Sequence, residues 1–188
     1  MKRIAIFGGT FDPIHSAHLT VAREALQAFA LDRVLFIPAA NPPHKQAATC
    51  AGYEHRYRMV SLACQGEPLF EPSRIEEGRN RSFTILTIER LRAAHPEDRF
   101  YFLIGADAFA EIKTWFRWED VLRRVDFIVV SRPGHIYAIP EGATVHRLES
   151  LELDVSSTDI RDQLARGEAP ESLPANVLDY IRGQGLYS

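Results

Sequence analysis

The chain has 188 residues, 46% of them hydrophobic, with 22 basic and 25 acidic residues and a formal net charge of −3. That balance excludes a protein that holds nucleic acid by bulk positive charge, and no apolar run approaches the length of a membrane span or a signal peptide. Two cysteines, Cys50 and Cys64, without CxxC spacing read as reduced thiols of a cytoplasmic protein, and the length suits one core and one domain over residues 1–188.

The elements alternate along the chain. RIAIF (3–7) is a short apolar strand ending at Gly8-Gly9, and apolar residues from Leu19 to Phe29 recur at helical spacing over 16–29. RVLFIP (33–38) is a second strand stopped by Pro38, residues 39–52 are a Pro-rich loop, and 53–65 form a helix. A short strand is expected over 70–75, with Ser82 as the N-cap of a helix that runs to Pro96. RFYFLIG (99–105) is the strongest buried strand, followed by one or two short helices, a fifth strand at 126–131 and an edge strand within 144–153. Helices over 156–167 and about 174–183 close the chain. Strands separated by helices predict an α/β fold, a Rossmann-like open parallel sheet with helices on both faces. Ligands of such sheets bind beyond the carboxyl ends of the strands. GGTFDP leaves the first strand and GADAF the fourth, so the two loops flank one crevice if those strands are neighbours.

The stretch GGTFDPIHSAH (8–18) carries the chemistry. It is neither the dinucleotide fingerprint GxGxxG nor a P-loop, since the glycine spacing and the lysine are missing. Gly8 and Gly9 permit close backbone approach, Thr10 adds a hydroxyl, and His15 and His18 share one face at a helix start. Free N–H groups and the helix dipole there suit a phosphate. A plain tight turn and a two-histidine metal site remain open on these residues alone, although no third ligand stands at an obvious spacing.

GGTFDPIHSAH resembles the first signature of the HxGH-type nucleotidyltransferases, and VSSTDIR (155–161) resembles their second. PPHK (42–45), SFT (82–84), IGADAF (104–109), the Trp115/Trp118 pair, SRPG (131–134) and the closing YIRGQGLY (180–187) are similar to the bacterial nicotinate mononucleotide adenylyltransferases, so the resemblance spans nearly the whole chain. Ala17 stands where those proteins carry glycine between the histidines, which adds one methyl for a nucleotide to accommodate.

The resemblance implies transfer of AMP from ATP to the 5′-phosphate of nicotinate mononucleotide, with pyrophosphate released. The attacking phosphate is already anionic, so positioning and charge stabilisation replace a general base. It implies His15, His18 and Arg161 as catalytic, the histidines on the reacting phosphate. Gly8, Gly9, Thr10, Phe11, Gly105, Asp107, Ser156, Ser157 and Thr158 would bind ATP, the Phe11 ring packing in the core. His44, Lys45, Thr84, Trp115 and Arg132 would bind nicotinate mononucleotide, Trp115 stacking on its ring. Mg²⁺ would arrive with ATP, with no metal cage in the protein. Arg79 and Arg81 read as a solvated basic turn. No nucleic-acid or membrane partner is expected, and a homo-oligomer is left open. Alternatives are a relative with another acceptor, nicotinamide mononucleotide or phosphopantetheine, and a non-catalytic nucleotide sensor on the same fold.

Overall fold

The computed structural model describes residues 1–41, 50–78, 81–150 and 155–188. Six strands form one parallel sheet: β1 (Arg3–Gly9), β2 (Arg33–Pro38), β3 (Phe70–Pro72), β4 (Arg99–Gly105), β5 (Asp126–Ser131) and β6 (Val145–Glu149). Their order is β3-β2-β1-β4-β5-β6. The order reverses between β1 and β4, which pair in register from Arg3↔Arg99 to Ile6↔Phe102. The neighbour relation that the crevice requires therefore holds, and both loops open at the switch point.

Alternation along each strand splits the core into two layers. Ala5, Val34, Phe36, Leu103, Ile128 and Val130 face one side. There they meet α1 (Ser16–Ala28), α2 (Tyr53–Ala63), α6 (Ser157–Ala165) and α7 (Ala175–Gln184). Ile4, Ile6, Ile37, Phe102, Ile104, Phe127 and Val129 face the other side. They pack on α3 (Thr84–Ala94), α4 (Ala106–Ala110) and α5 (Trp118–Arg124). Burial on both faces is why these strands read as unbroken apolar runs.

Three boundaries differ from the sequence expectation. The third strand ends at Pro72, a residue with no N–H to extend the ladder. Strand β6 stops at Glu149, and 151–154 lie outside the described residues. Ser82 is not the N-cap of α3; Phe83 holds that position in extended backbone. The Ser82 hydroxyl accepts instead from the N–H of Asn41 at 3.0 Å, and the Ser82 N–H donates to the Asn41 carbonyl at 3.0 Å. A reciprocal tie between two loops has displaced a local cap.

Arg56 on α2 is buried, with 1% of its surface exposed. Its guanidinium donates to the carbonyls of Ala51 at 3.1 Å and Thr10 at 2.7 Å. Helix α2 is thereby fastened to the loop after β1. Arg56→Met keeps the stem and leaves both carbonyls without that donor, an expected loss of about 2–4 kcal/mol. Thermal unfolding by circular dichroism should show a fall in Tm of about 5–15 °C. A Tm within about 2 °C of the parent would show that these bonds contribute nothing net.

Candidate active site

The β1–α1 loop is held from outside by its carbonyl oxygens. Arg56 donates to Thr10, Arg161 to Asp12 at 2.8 Å, and the Ser157 hydroxyl to Pro13 at 3.0 Å. In a trans peptide the N–H points opposite to the C=O, so fixing the carbonyls of Thr10 and Pro13 also fixes the N–H groups of Phe11 and Ile14. Phe11 sits at φ 51, in the left-handed region. Its ring is buried against Phe7, Phe36 and His18, as the sequence reading expects. The same ring accounts for Gly9: a Cβ there would meet it at 3.0 Å. A side chain at this position would press on the Phe11 ring, which would have to give by a few tenths of an ångström.

His15 is the N-cap of α1 and His18 its third residue. The His15 N–H donates to His18 Nδ1 at 3.2 Å, satisfying one orphan donor of the helix start. With Nδ1 accepting, the neutral His18 ring carries its proton on Nε2. The two rings lie 3.8 Å apart, tilted by 34°. His15 is 4% exposed, and among the described residues its Nδ1 has no hydrogen-bond partner. Burial pushes its pKa from 6.5 down to about 4. A neutral, desolvated imidazole gains greatly from an oxyanion placed against it.

Two cavities open along the carboxyl edges of β1 and β4. One is lined by Phe7, His15, Ala17, His18, Gly105 and Ser156–Ser157. It joins the starts of α1 and α6; at α1 the N–H groups of His15, Ser16 and His18 are paired with His18 Nδ1, the Ser172 carbonyl and the His15 carbonyl, and at α6 that of Asp159 is paired with the Ser156 hydroxyl. Ser156 caps α6, its hydroxyl accepting from the N–H of Asp159 at 3.1 Å. Arg161 also donates to the Thr158 hydroxyl at 3.2 Å, so Ser156, Ser157, Thr158 and Arg161 all have internal partners, and Ser156 and Ser157 also line the cavity. Ala17 is 5% exposed and its methyl forms part of this wall.

The second cavity, with about 200 Å³ of accessible volume, is lined by Gly8–Thr10, Ser82–Thr84, Phe102 and Trp115, with Glu76 at its wall. Trp115 is half-buried and meets Phe102 edge-on at 5.9 Å. Gly8, Gly9 and Thr10 thus fall with Thr84 and Trp115, not with the histidine cavity. Arg132 is brought beside Gly105, Asp107 and His135 rather than beside Thr84 and Trp115. The reason is topological: Arg132 follows β5, which borders β4, whereas Thr84 lies with Gly8–Thr10 and Ile37 at the ends of β1 and β2. His44 and Lys45, with Arg79, lie outside the described residues; Arg81 is exposed.

Sequence reasoning missed three groups here. Asp12 is 5% exposed and accepts from the N–H groups of Cys50 and Ala51 at 2.7 and 3.1 Å. Tyr187 donates its hydroxyl to the same carboxylate at 2.6 Å. Glu76 accepts from the Thr87 hydroxyl at 2.7 Å while its other oxygen is buried without a partner among the described residues. Asp12 could have been found by asking what a carboxylate does inside a buried turn; Glu76, in the charged run RIEEGR, carries no local signal. Among the described residues no group of three or more His, Cys, Asp or Glu could hold a metal ion, and no helix is long and apolar enough to cross a membrane.

The family model that matches is cytidylyltransferase-like, over residues 6–163. A Solibacter usitatus protein named "Probable nicotinate-nucleotide adenylyltransferase" is 60% identical over 187 residues, covering 99% of this chain and 100% of its own length. One of the same name from Exiguobacterium sibiricum is 42% identical over 188 residues, covering 99% of each. The fold is that of a Plasmodium falciparum nicotinic acid mononucleotide adenylyltransferase solved with NaAD, with TM-score 0.81, 21% identity, and coverage of 100% of this chain and 98% of that one. Sharing its sequence end to end with the first two, the chain belongs to the nicotinate-nucleotide adenylyltransferase family of cytidylyltransferase-like proteins.

Proposed function

We propose that the protein transfers AMP from ATP to the 5′-phosphate of nicotinate mononucleotide, giving nicotinate adenine dinucleotide and pyrophosphate. The observation that carries this reading is the histidine cavity. Two imidazoles and two helix N-termini converge on one space, and a cavity bearing a tryptophan adjoins it across the ends of β1 and β4. The relatives named for this activity support it.

A phosphate oxygen of the mononucleotide attacks the α-phosphorus of ATP; a new P–O bond forms and the bond to the β-phosphate bridging oxygen breaks. His15 and His18 donate to the α-phosphate oxygens, each worth about 3 kcal/mol if aimed at the developing charge. The start of α6 and Arg161 hold the departing pyrophosphate. Arg161 has five N–H donors, so its bonds to Asp12 and Thr158 orient the guanidinium without exhausting it. A divalent cation enters as part of the nucleotide substrate and offsets the repulsion of two polyanions. Asp107 and Arg132, beside Gly105, serve the adenylate side.

The acceptor ring lies in the tryptophan cavity. Ser82 spends its N–H on Asn41, so the ring's donors are the free N–H groups at the start of α3 and the Thr84 hydroxyl. Donors satisfy both oxygens of a carboxylate but oppose an amide NH₂, a mismatch of roughly 1–3 kcal/mol. Glu76, bonded to Thr87 one turn into α3, stands on the same wall and works against an anionic ring substituent, so the donors at the start of α3 must outweigh it.

Pyrophosphate release from ATP that depends on nicotinate mononucleotide tests the reading directly; release without an acceptor requirement, or none, would overturn it. The specificity constant for nicotinate mononucleotide should exceed that for the nicotinamide form by about ten-fold or more. Equal constants would remove the ring from the α3 start.

His18→Ala should lower kcat by about 100-fold or more while the fold survives, because the lost helix cap costs only about 1 kcal/mol. Near-normal turnover in a folded variant would exclude the role.

The unfolded chain protonates His15 near 6.5 but the folded chain only near 4. Stability from the neutral ring is complete above pH 6.5 and is lost as pH falls toward 4, about 3 kcal/mol in all. Urea unfolding should therefore show His15→Gln losing less stability than the parent between about pH 7 and about pH 4.5. Parallel pH profiles would show that His15 is not buried neutral.

A further inference from the structure

The proposed reaction uses the β1–α1 loop, and one contact to that loop comes from the far end of the chain. Helix α7 ends at Gly185 in the left-handed C-cap conformation, which turns the following residues back toward the sheet. Tyr187 then sits at φ 65, a backbone conformation unfavourable for a bulky residue. Such a conformation persists only where the surroundings over-determine it. The surroundings here are specific: the ring packs against the α1/α2 core layer, and the hydroxyl meets Asp12 Oδ1 at 2.6 Å. Burial first, and then the bond to Asp12, push the phenol far above its ordinary pKa, so it remains a donor.

Asp12 is the common acceptor. Its carboxylate receives the Tyr187 hydroxyl together with the N–H groups of Cys50 and Ala51, while its backbone carbonyl receives Arg161. Phe11, the residue before it, is left-handed at φ 51. His15 begins α1 three residues later. The carboxylate thus joins the C-terminal segment and the entry to α2 to the turn that precedes both histidines, and the Asp12 carbonyl joins the arginine of α6 to it. Removing the Tyr187 hydroxyl would unfasten one of the three donors while leaving the ring in the core.

We propose that Tyr187 is a positioning residue for the phosphate-binding loop, acting through the Asp12 carboxylate rather than by touching either nucleotide. The inference rests on the adenylyl-transfer reading for its kinetic consequence and on geometry alone for its structural one.

Tyr187→Phe, assayed well below the Tm of each protein, should lower kcat by about ten-fold or more. The KM values for ATP and nicotinate mononucleotide should change little. In an Asp12→Asn background the same substitution should change kcat by less than about two-fold, because the two side chains act as one unit. Losses that add independently would overturn the coupling, and a lowered Tm with unchanged kcat would reduce Tyr187 to a fold contact. A second readout needs no turnover: ¹⁵N imidazole spectra of unliganded parent and Tyr187→Phe. Shifted His15 and His18 signals support the proposal, and superimposable spectra overturn it. Should the parent release no pyrophosphate, the reaction reading fails, and the imidazole comparison still decides the role of Tyr187.

Discussion

A turn between a strand and a helix must bury a carboxylate, and the way that carboxylate is satisfied governs the loop around it. Asp12 follows Phe11, whose backbone is left-handed. A buried carboxylate without partners is costly, so its three donors are requirements of the fold. They come from residues 50–51 and 187, remote in sequence from each other. The loop that would meet phosphates is therefore held by pieces brought together by α2, α6 and α7.

Both outer sheet layers contribute to that arrangement in different ways. The layer with α1, α2, α6 and α7 supplies the polar clamps, Arg56, Ser157, Arg161 and Tyr187. The layer with α3, α4 and α5 supplies the apolar wall, Phe102 and Trp115. The switch between β1 and β4 places these two chemistries on either side of one crevice. A reaction that joins a phosphate to a heteroaromatic nucleotide needs such a division.

The chain is net acidic, yet its cleft is suited to polyanions. The attraction is local. In the proposed site the start of α6, the Arg161 guanidinium and the histidine pair would act where water is partly excluded, so their fields would be less screened than those of surface charge. The surface ion pairs, such as Arg74–Glu54 and Arg166–Glu168, are exposed and hold little by comparison.

What the sequence by itself determined follows from patterns that are local or periodic. The apolar runs at 3–7, 33–38, 99–105 and 126–131 announce a buried parallel sheet because both faces are covered. The histidine pair at a helix start, and the Ser156 cap, were legible because spacing alone sets them. Tertiary structure decided which partners the loops would choose. Ser82 gave up its capping role for Asn41, Arg132 went to the Asp107 side, and Gly9 came to lie tight against a ring two residues away. Asp12 found Tyr187 across 175 positions. Hydrogen bonds of that reach leave no periodicity in the sequence, because their geometry exists only after the core layers have packed and brought the chain ends together.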